Sequence, residues 1–347
     1  MSGLPRRSLG GGGPALGAVL LGCALCSAPL QGLPTAVLRS VRAVPAHIAG
    51  RFPNAAGFQQ AASGQYFVFD RRLQKVFGLD ERMESSWEIV QIGAEDGRII
   101  VPTAFSVEPG GSFVVADAPD NIARIQIFSA AGARINGFNL SGRPKTRLML
   151  ESIGVSGIST LQYTGESILI SQPETGSLIV EYALTGQVKR AFGDLRSTGH
   201  EADPEVHYAL NSGIPLVDPT GGFFFVFQAG VPTLRKYAAD GSLVFDRVIQ
   251  GRELDDFIGA LPTTWPRRKT EDGEIPVVSP TVRSAAVDAG GNLWIAFVVP
   301  YTYVYAPDGD KIRTLQFRGA GVVTPNSMFF GRSGHLLVAP GLYEFTP

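Results

Sequence analysis

Cysteine is nearly absent from this chain. Its 347 residues include two, Cys23 and Cys26, and both lie in the first 26 positions. The body therefore has no disulfide, no thiolate metal site and no cysteine nucleophile. Charge is also scarce, at 18% Asp, Glu, Lys and Arg, against a usual level of about 25%. Neither sign dominates, with 30 Lys+Arg and 31 Asp+Glu, so no basic face announces nucleic acid or an anionic membrane. No apolar run reaches the roughly 20 residues of a membrane-spanning helix. A G-x-S-x-G elbow, a P-loop and a GxGxxG opening a helix are all missing. Gly10–Gly13 is a glycine run in the N-terminal segment and does not act as a phosphate loop.

Glycine, proline and aromatics are plentiful: 42 Gly, 24 Pro, 21 Phe and 9 Tyr, with 44% hydrophobic residues. That apolar mass excludes disorder. The density of helix breakers excludes a helical bundle. The glycines follow no three-residue period, which excludes collagen.

Residues 1–28 read as an export signal. Arg6 and Arg7 form a positive start, Ala15 to Cys26 an apolar stretch, and Ala24, Cys26, Ser27 and Ala28 a small-residue end. This is the layout of a secretory signal peptide, with cleavage expected after Cys26. Two refinements compete with it. Leu20-Leu21-Gly22-Cys23 is similar to a lipobox, which would make Cys23 a lipidation site and supply the chain's one route to a membrane. Arg6-Arg7-Ser8-Leu9 is similar to a twin-arginine signal. The expected location is periplasmic, cell-envelope or extracellular. Residues 29–50 read as a linker that supplies a closing strand within 36–50, and residues 51–347 as one domain.

The body repeats. Pro102 to Leu140 reads as four strands joined by hairpins: TAFSVE, SFVVAD, RIQIFSA and ARINGFNL. A first turn recurs at Gly64, Gly111, Gly165, Gly222, Gly291 and Gly334. A second recurs at Gly132, Gly186, Gly241 and Gly309, and follows its partner by 21, 21, 19 and 18 positions. Glycine suits such turns because it accepts positive φ. A four-stranded unit repeated with variable connectors is a β-propeller blade. The fold expected is all-β: a six-bladed propeller of four-stranded antiparallel blades, closed by joining N- and C-terminal strands.

Phe113-Val114-Val115-Ala116-Asp117 followed by Arg124-Ile125-Gln126-Ile127-Phe128 resembles the NHL-repeat core of the NHL/TolB-like propeller superfamily. Phe67 to Asp70 with Leu73 to Phe77, and Val287-Asp288 with Gly291 to Ile295, are partial copies. The resemblance implies an architecture whose members bind proteins, RNA or ligands, or hydrolyse lactones or cleave small molecules.

In such a blade the loop between strands two and three shares a face with the connector to the next blade. That face collects Asp117–Ala123, Gln172–Gly176 and Gln228–Pro232, together with the long connectors Gly193–Ser212 and Gly251–Pro280. Long loops on a rigid scaffold are where function concentrates. Alignment on the first turns places Thr103, Ile214, Arg283 and Asn326 at the starts of inner strands, near a central channel. Arg283 can grip a carboxylate or phosphate with its planar fork; the alternative is a structural pair. The absence of a carboxylate in this set argues against a calcium lactonase. Asp117, Arg196 and Trp265 are further ligand candidates on the loops, although such a Trp more often pins a loop to the body. Leu254, Phe257, Ile258 and Leu261 fall at helical spacing. His200, Glu201 and His207 are the candidate metal ligands, with a solvated polar loop as the alternative; Gly199 and Pro204 argue against a helix there. No cofactor is expected from a motif, and a divalent metal on that His/Glu set is the one candidate. The reading favoured is a monomeric, exported, non-catalytic binding propeller for a protein or small polar ligand, not for nucleic acid. The alternative is a metal-dependent hydrolase or lyase on the same scaffold.

Overall fold

The computed structural model describes residues 34–141, 147–150, 153–156, 158–270 and 273–347. Residues 1–28, expected to form an export signal, and Cys23 within them lie outside the described residues. Strand β1 (Thr35–Ala43) and a short helix α1 (Ala46–Ala49) precede the repeats. The first sheet holds β2–β5 (Ala55–Gln60, Tyr66–Asp70, Lys75–Leu79, Ser86–Val90). The second holds β6–β9 (Ala104–Val107, Phe113–Asp117, Arg124–Phe128, Arg134–Asn139). After a hairpin, β10–β11 (Arg147–Leu150, Ile153–Ser156), the third sheet holds β12–β15 (Leu161–Tyr163, Ser167–Ser171, Ser177–Ala183, Val188–Asp194). Helix α2 (Pro204–Asn211) leads to the fourth sheet, β16–β19 (Gly213–Val217, Phe223–Phe227, Thr233–Tyr237, Leu243–Val248). Helix α3 (Arg252–Gly259) and the hairpin β20–β21 (Arg267–Thr270, Gly273–Pro276) follow. The rest is one nine-stranded sheet made of β22–β25 (Val282–Val287, Leu293–Phe297, Thr302–Tyr305, Lys311–Arg318), β26 (Val322–Val323), β27–β29 (Ser327–Phe330, Leu336–Ala339, Tyr343–Phe345) and β1.

The sequence repeat and the sheet count differ here, and β1 is the reason. It pairs parallel with β25 on one side, Thr35 opposite Thr314, and antiparallel with β29 on the other, Ser40 opposite Phe345. One strand thereby fuses two sequence units into a single hydrogen-bonded sheet.

All ten turn glycines of the repeat have positive φ, from 74° at Gly334 to 96° at Gly64 and Gly111. The first sheet makes its second turn without glycine. Met83 stands there at φ 61°, while the Asp80 carboxylate accepts from the backbone N–H groups of Glu84 and Ser85. Between the third and fourth strands the register shifts in all four four-stranded sheets, at Val76/Phe77, Ile127/Phe128, Glu181/Tyr182 and Lys236/Tyr237, and again between β24 and β25 at Val304/Tyr305. A bulge at that place steepens the twist, which each sheet needs to stand edge-on around a centre.

The central strands are buried on both faces. β3, β7 and β8 are buried at every position, and Phe113 touches the rings of Phe67, Phe105 and Phe128. This explains the low charge: sheets packed on two neighbours have no polar face.

The six first strands, β2, β6, β12, β16, β22 and β27, pack side by side in a closed circle. Their side chains tie one to the next. Val107 donates its backbone N–H to Gln59 (2.7 Å), Tyr163 to Ser106 (3.0 Å) and Val217 to Gln162 (2.5 Å). The Ser284 hydroxyl donates to the Pro325 carbonyl (3.0 Å), and Arg332 donates its backbone N–H to Gln60 (3.3 Å).

Candidate functional site

The circle of first strands surrounds a solvent-open pocket of about 140 Å³. Every first strand or the residues just before it contribute to the wall. Polar groups cluster at the strand starts: Ser159, Thr160, Arg283, Ser284 and Asn326, joined by Gln228 and Arg71 from loops. Phe105, Leu161, Ala285 and Met328 stand further along the same strands and make the inner wall largely apolar, with Gln59 of β2 the polar residue there. Gly57 makes room for this floor, since a Cβ there would meet the Phe105 ring at 3.0 Å.

The wall is internally bonded. Arg283 Nη1 donates to Asn326 Oδ1 at 2.6 Å. Ser159 donates to Gln228 Oε1 at 3.3 Å, and the Gln228 carbonyl in turn accepts from the backbone N–H of Thr281 at 2.7 Å. Thr160 donates to the Gly213 carbonyl. Arg71 Nη2 donates to the Thr103 carbonyl at 3.0 Å. Among the described residues the wall presents two guanidinium groups and no carboxylate.

Of the residues singled out from sequence, Arg283 and Asn326 lie in this wall and touch each other. Thr103 sits beside it, its carbonyl held by Arg71 and its hydroxyl donating to Ala116 (3.4 Å). Asp117 is consumed within its own sheet. Both its oxygens accept from Arg124, at 2.9 and 2.6 Å, and one also takes the backbone N–H of Ile100. The bonds from Asp117 outweigh the cost of burial and raise the Arg124 pKa further. Asp70 does the same backbone work one repeat earlier, accepting from Asn54 and Leu73. The Ala-Asp of the repeat is thus a loop brace.

Arg196 is a staple on the loop cluster. Its guanidinium donates to the carbonyls of Val231 (3.0 Å), Leu210 (2.9 Å) and Ala229 (2.7 Å) and to the Thr233 hydroxyl (3.1 Å). It also lies 4.0 Å from the centroid of Phe227. Burial, reinforced by the neighbouring Arg235, lowers it to about 10, which leaves it cationic near neutral pH. Trp265 packs with Val206, Ala209 and Leu210 of α2 and with Val278, and its indole N–H finds no hydrogen-bond partner among the described residues. It is buried packing for the loop face.

His200, Glu201 and His207 do not converge. Glu201 accepts from the Ser197 hydroxyl (2.8 Å) and from the backbone N–H groups of Thr198 (2.8 Å) and Gly199 (3.2 Å), which lowers its pKa to about 2. His207 Nδ1 contacts the Thr198 hydroxyl at 2.7 Å. No group of three metal-binding side chains exists among the described residues. His207 lies inside α2, against the expectation of a non-helical loop. Pro204 starts that helix, where its missing N–H costs nothing, and Asp203 caps it. Arg267 holds the cap in place from the β20–β21 hairpin through Asp203 and Glu205. Helix α3 occupies the stretch expected to be helical, with Leu254 fully buried.

Arg71 escaped the sequence reading. It follows Asp70 at the end of a second strand, so the rule that loops two-to-three share the connector face would have found it.

No protein-family model and no curated protein sequence matches the chain. Solved structures do. A streptogramin B lyase structure superposes with a TM-score of 0.50 at 10% identity, covering 84% of this chain and 93% of that one. A virginiamycin B lyase from Staphylococcus aureus gives 0.48 at 10% identity, over 85% and 84%. The RRP9 WD40 repeats give 0.47 at 9% identity, over 87% and 90%. The chain is a β-propeller. At these identities the likeness concerns the fold alone, and the propeller's chemistry rests on its own residues.

Proposed function

We propose that this propeller is an exported, non-catalytic binding protein that holds a small polar ligand in its central cavity, on the connector face. The observation that carries the reading is the wall itself: polar side chains at the strand starts facing an apolar floor, on a rigid ring. Concave sites with a few convergent polar groups on an apolar lining are the usual form of ligand pockets. Binding rather than turnover is favoured because no His, Lys or carboxylate stands among the described wall residues to act as a base for Ser159 or Ser284. Guanidinium is too basic for that role.

The ring is read as six blades. Six first strands surround one cavity, six first-turn glycines share positive φ, and β1 completes β27–β29 as a fourth strand while also touching β25. Export rests on Arg6, Arg7, the Ala15–Cys26 stretch and the small residues after it. The likeness to streptogramin and virginiamycin B lyases adds no activity to this reading.

A small-molecule collection of neutral, cationic and anionic compounds, screened by thermal shift on the purified protein, tests it. Hits should bind saturably in calorimetry and lose binding in Ala285→Phe, which fills the cavity. Hits indifferent to that change, or consumed on incubation, would overturn the reading. Terminal sequencing of exported protein should begin at Ser27, or at a blocked Cys23.

A further inference from the structure

We propose that the exposed face of β1 and the adjoining end of β25 form a docking patch for an anionic membrane surface, used by a chain lipidated at Cys23. The proposal rests on the export reading above in its lipidated form. Three strands run through the patch in register. Arg39 of β1 stands beside Arg318 of β25, and Arg318 stands opposite Val322 of β26. Side chains alternate between the faces of a strand. Val37, Arg39 and Val41 therefore share the outward face of β1, as the alternating burial along that strand also indicates. Val37, Val41 and Val322 are 46%, 59% and 52% exposed.

The patch is costly without a partner. Like charges at neighbouring positions of a sheet repel, yet Arg39 and Arg318 are direct register partners. Among the described residues neither reaches a carboxylate. Arg42, on the other face of β1, is the contrast. It donates to the Glu81 carbonyl at 3.1 Å and lies 3.9 Å from the Glu344 carboxylate. The balanced composition conceals this local excess, because carboxylates elsewhere are engaged, as Glu181 is by Lys189 and Arg190.

A bilayer surface fits both parts of the patch. Anionic headgroups attract each arginine. The long arginine stems let the guanidinium groups stay at headgroup level while exposed valines enter the boundary below. Chain length favours a membrane over a soluble acidic protein. Thr35 lies twelve positions after Cys23, and an extended chain of that length spans at most about 40 Å. A lipid on Cys23 therefore raises the effective concentration at which the patch meets the bilayer. The lipid supplies retention and the patch supplies orientation.

A site-specific probe tests the proposal. The body lacks cysteine, so in a Cys26→Ser chain with lipid on Cys23, Ala320→Cys carries a polarity-sensitive fluorophore two residues after Arg318. Ile135→Cys on β9 carries it as the control. The protein is anchored in vesicles of phosphatidylcholine, alone or mixed two to one with phosphatidylglycerol. The Ala320 probe should shift to the blue in the anionic vesicles only, and lose the shift at high salt. The Ile135 probe should not respond. Arg39→Gln and Arg318→Gln should each lower the docked-to-free ratio about fivefold, and together about thirtyfold, with melting temperatures unchanged. Equal shifts in neutral vesicles, at both probe positions or in the glutamine variants would overturn the proposal, as would no shift at all. A shift produced by soluble polyglutamate and not by vesicles would assign the patch to an acidic protein instead. A mature chain beginning at Ser27, without lipid, would also overturn the proposal and leave the binding reading, tested by ligands in solution, standing.

Discussion

Replacing Arg196 with alanine removes one side chain and four hydrogen bonds. The carbonyls of Leu210 and Ala229 lose this donor, while the Val231 carbonyl and the Thr233 hydroxyl, which also lose it, keep their bond to each other. A hydrogen bond from a charged donor contributes about 1.5–3 kcal/mol, and a buried acceptor left without a partner costs about 1–3 kcal/mol. The four bonds share one cation, so they do not add independently. Stacking on Phe227 adds about 0.5–2 kcal/mol. A net loss of about 3–5 kcal/mol follows, similar to removing one partner of a buried pair. At 2–4 °C per kcal/mol for domains of 150–250 residues, and somewhat less for a longer one, the melting temperature should fall by about 5–12 °C. Scanning calorimetry reads this directly. Arg196→Lys keeps the charge but not the planar fork, and should recover less than half of the loss. A fall under about 2 °C for alanine, or wild-type stability for lysine, would refute the staple and return Arg196 to the list of ligand groups.

Glu181 sets an acid-sensitive contribution. Burial alone would raise its pKa, but hydrogen bonds from Arg190, Ser167 and Lys189 outweigh it and lower the value. Its stabilisation is therefore complete above the unfolded-state value near 4.5 and disappears as pH falls through the lower folded value. Urea titrations at stepped pH should show that slope in wild type and not in Glu181→Gln. Gly251→Ala places a Cβ against the Tyr303 hydroxyl, which donates to Glu253 of α3; about 1–3 kcal/mol should be lost to overpacking, measured by chemical denaturation. Deleting residues 34–43 exposes the edges of β25 and β29, and size-exclusion chromatography should show association or aggregation in place of the native peak.

Much of the architecture was legible because glycine leaves an unambiguous trace. Gly111 and Gly132, like the other eight, stand where φ is positive, a conformation that side chains resist. The first sheet's second turn was illegible for the same reason, since Met83 takes the strained position and Asp80 stabilises the turn. Helix α2 was missed because Pro204 was weighed as a breaker, although a proline at the first helical position is favourable. For the candidate site, Arg283 and Asn326 followed from aligning strand starts. Asp117 and Arg196 did not sort correctly, because an isolated polar residue does not reveal its partner. Arg124 faces Asp117 across a hairpin, and the carbonyls that occupy Arg196 belong to residues 14 to 35 positions away.

Strand β1 imposes an order on how the chain acquires its shape. It is the first of the described strands in chain order, yet Thr35 meets Thr314 and Ser40 meets Phe345. Its partners, β25 and β29, emerge long after it. Bringing together ends separated by roughly 280 residues costs about 5 kcal/mol in loop-closure entropy. The intervening sheets offset that cost by folding first from local hairpins and drawing the ends together. Contacts this distant in sequence slow folding. Until β25 is complete β1 has no hydrogen-bonding neighbour, and until β29 is complete it has only one, so the nascent chain must cross its period of greatest aggregation risk with an edge exposed.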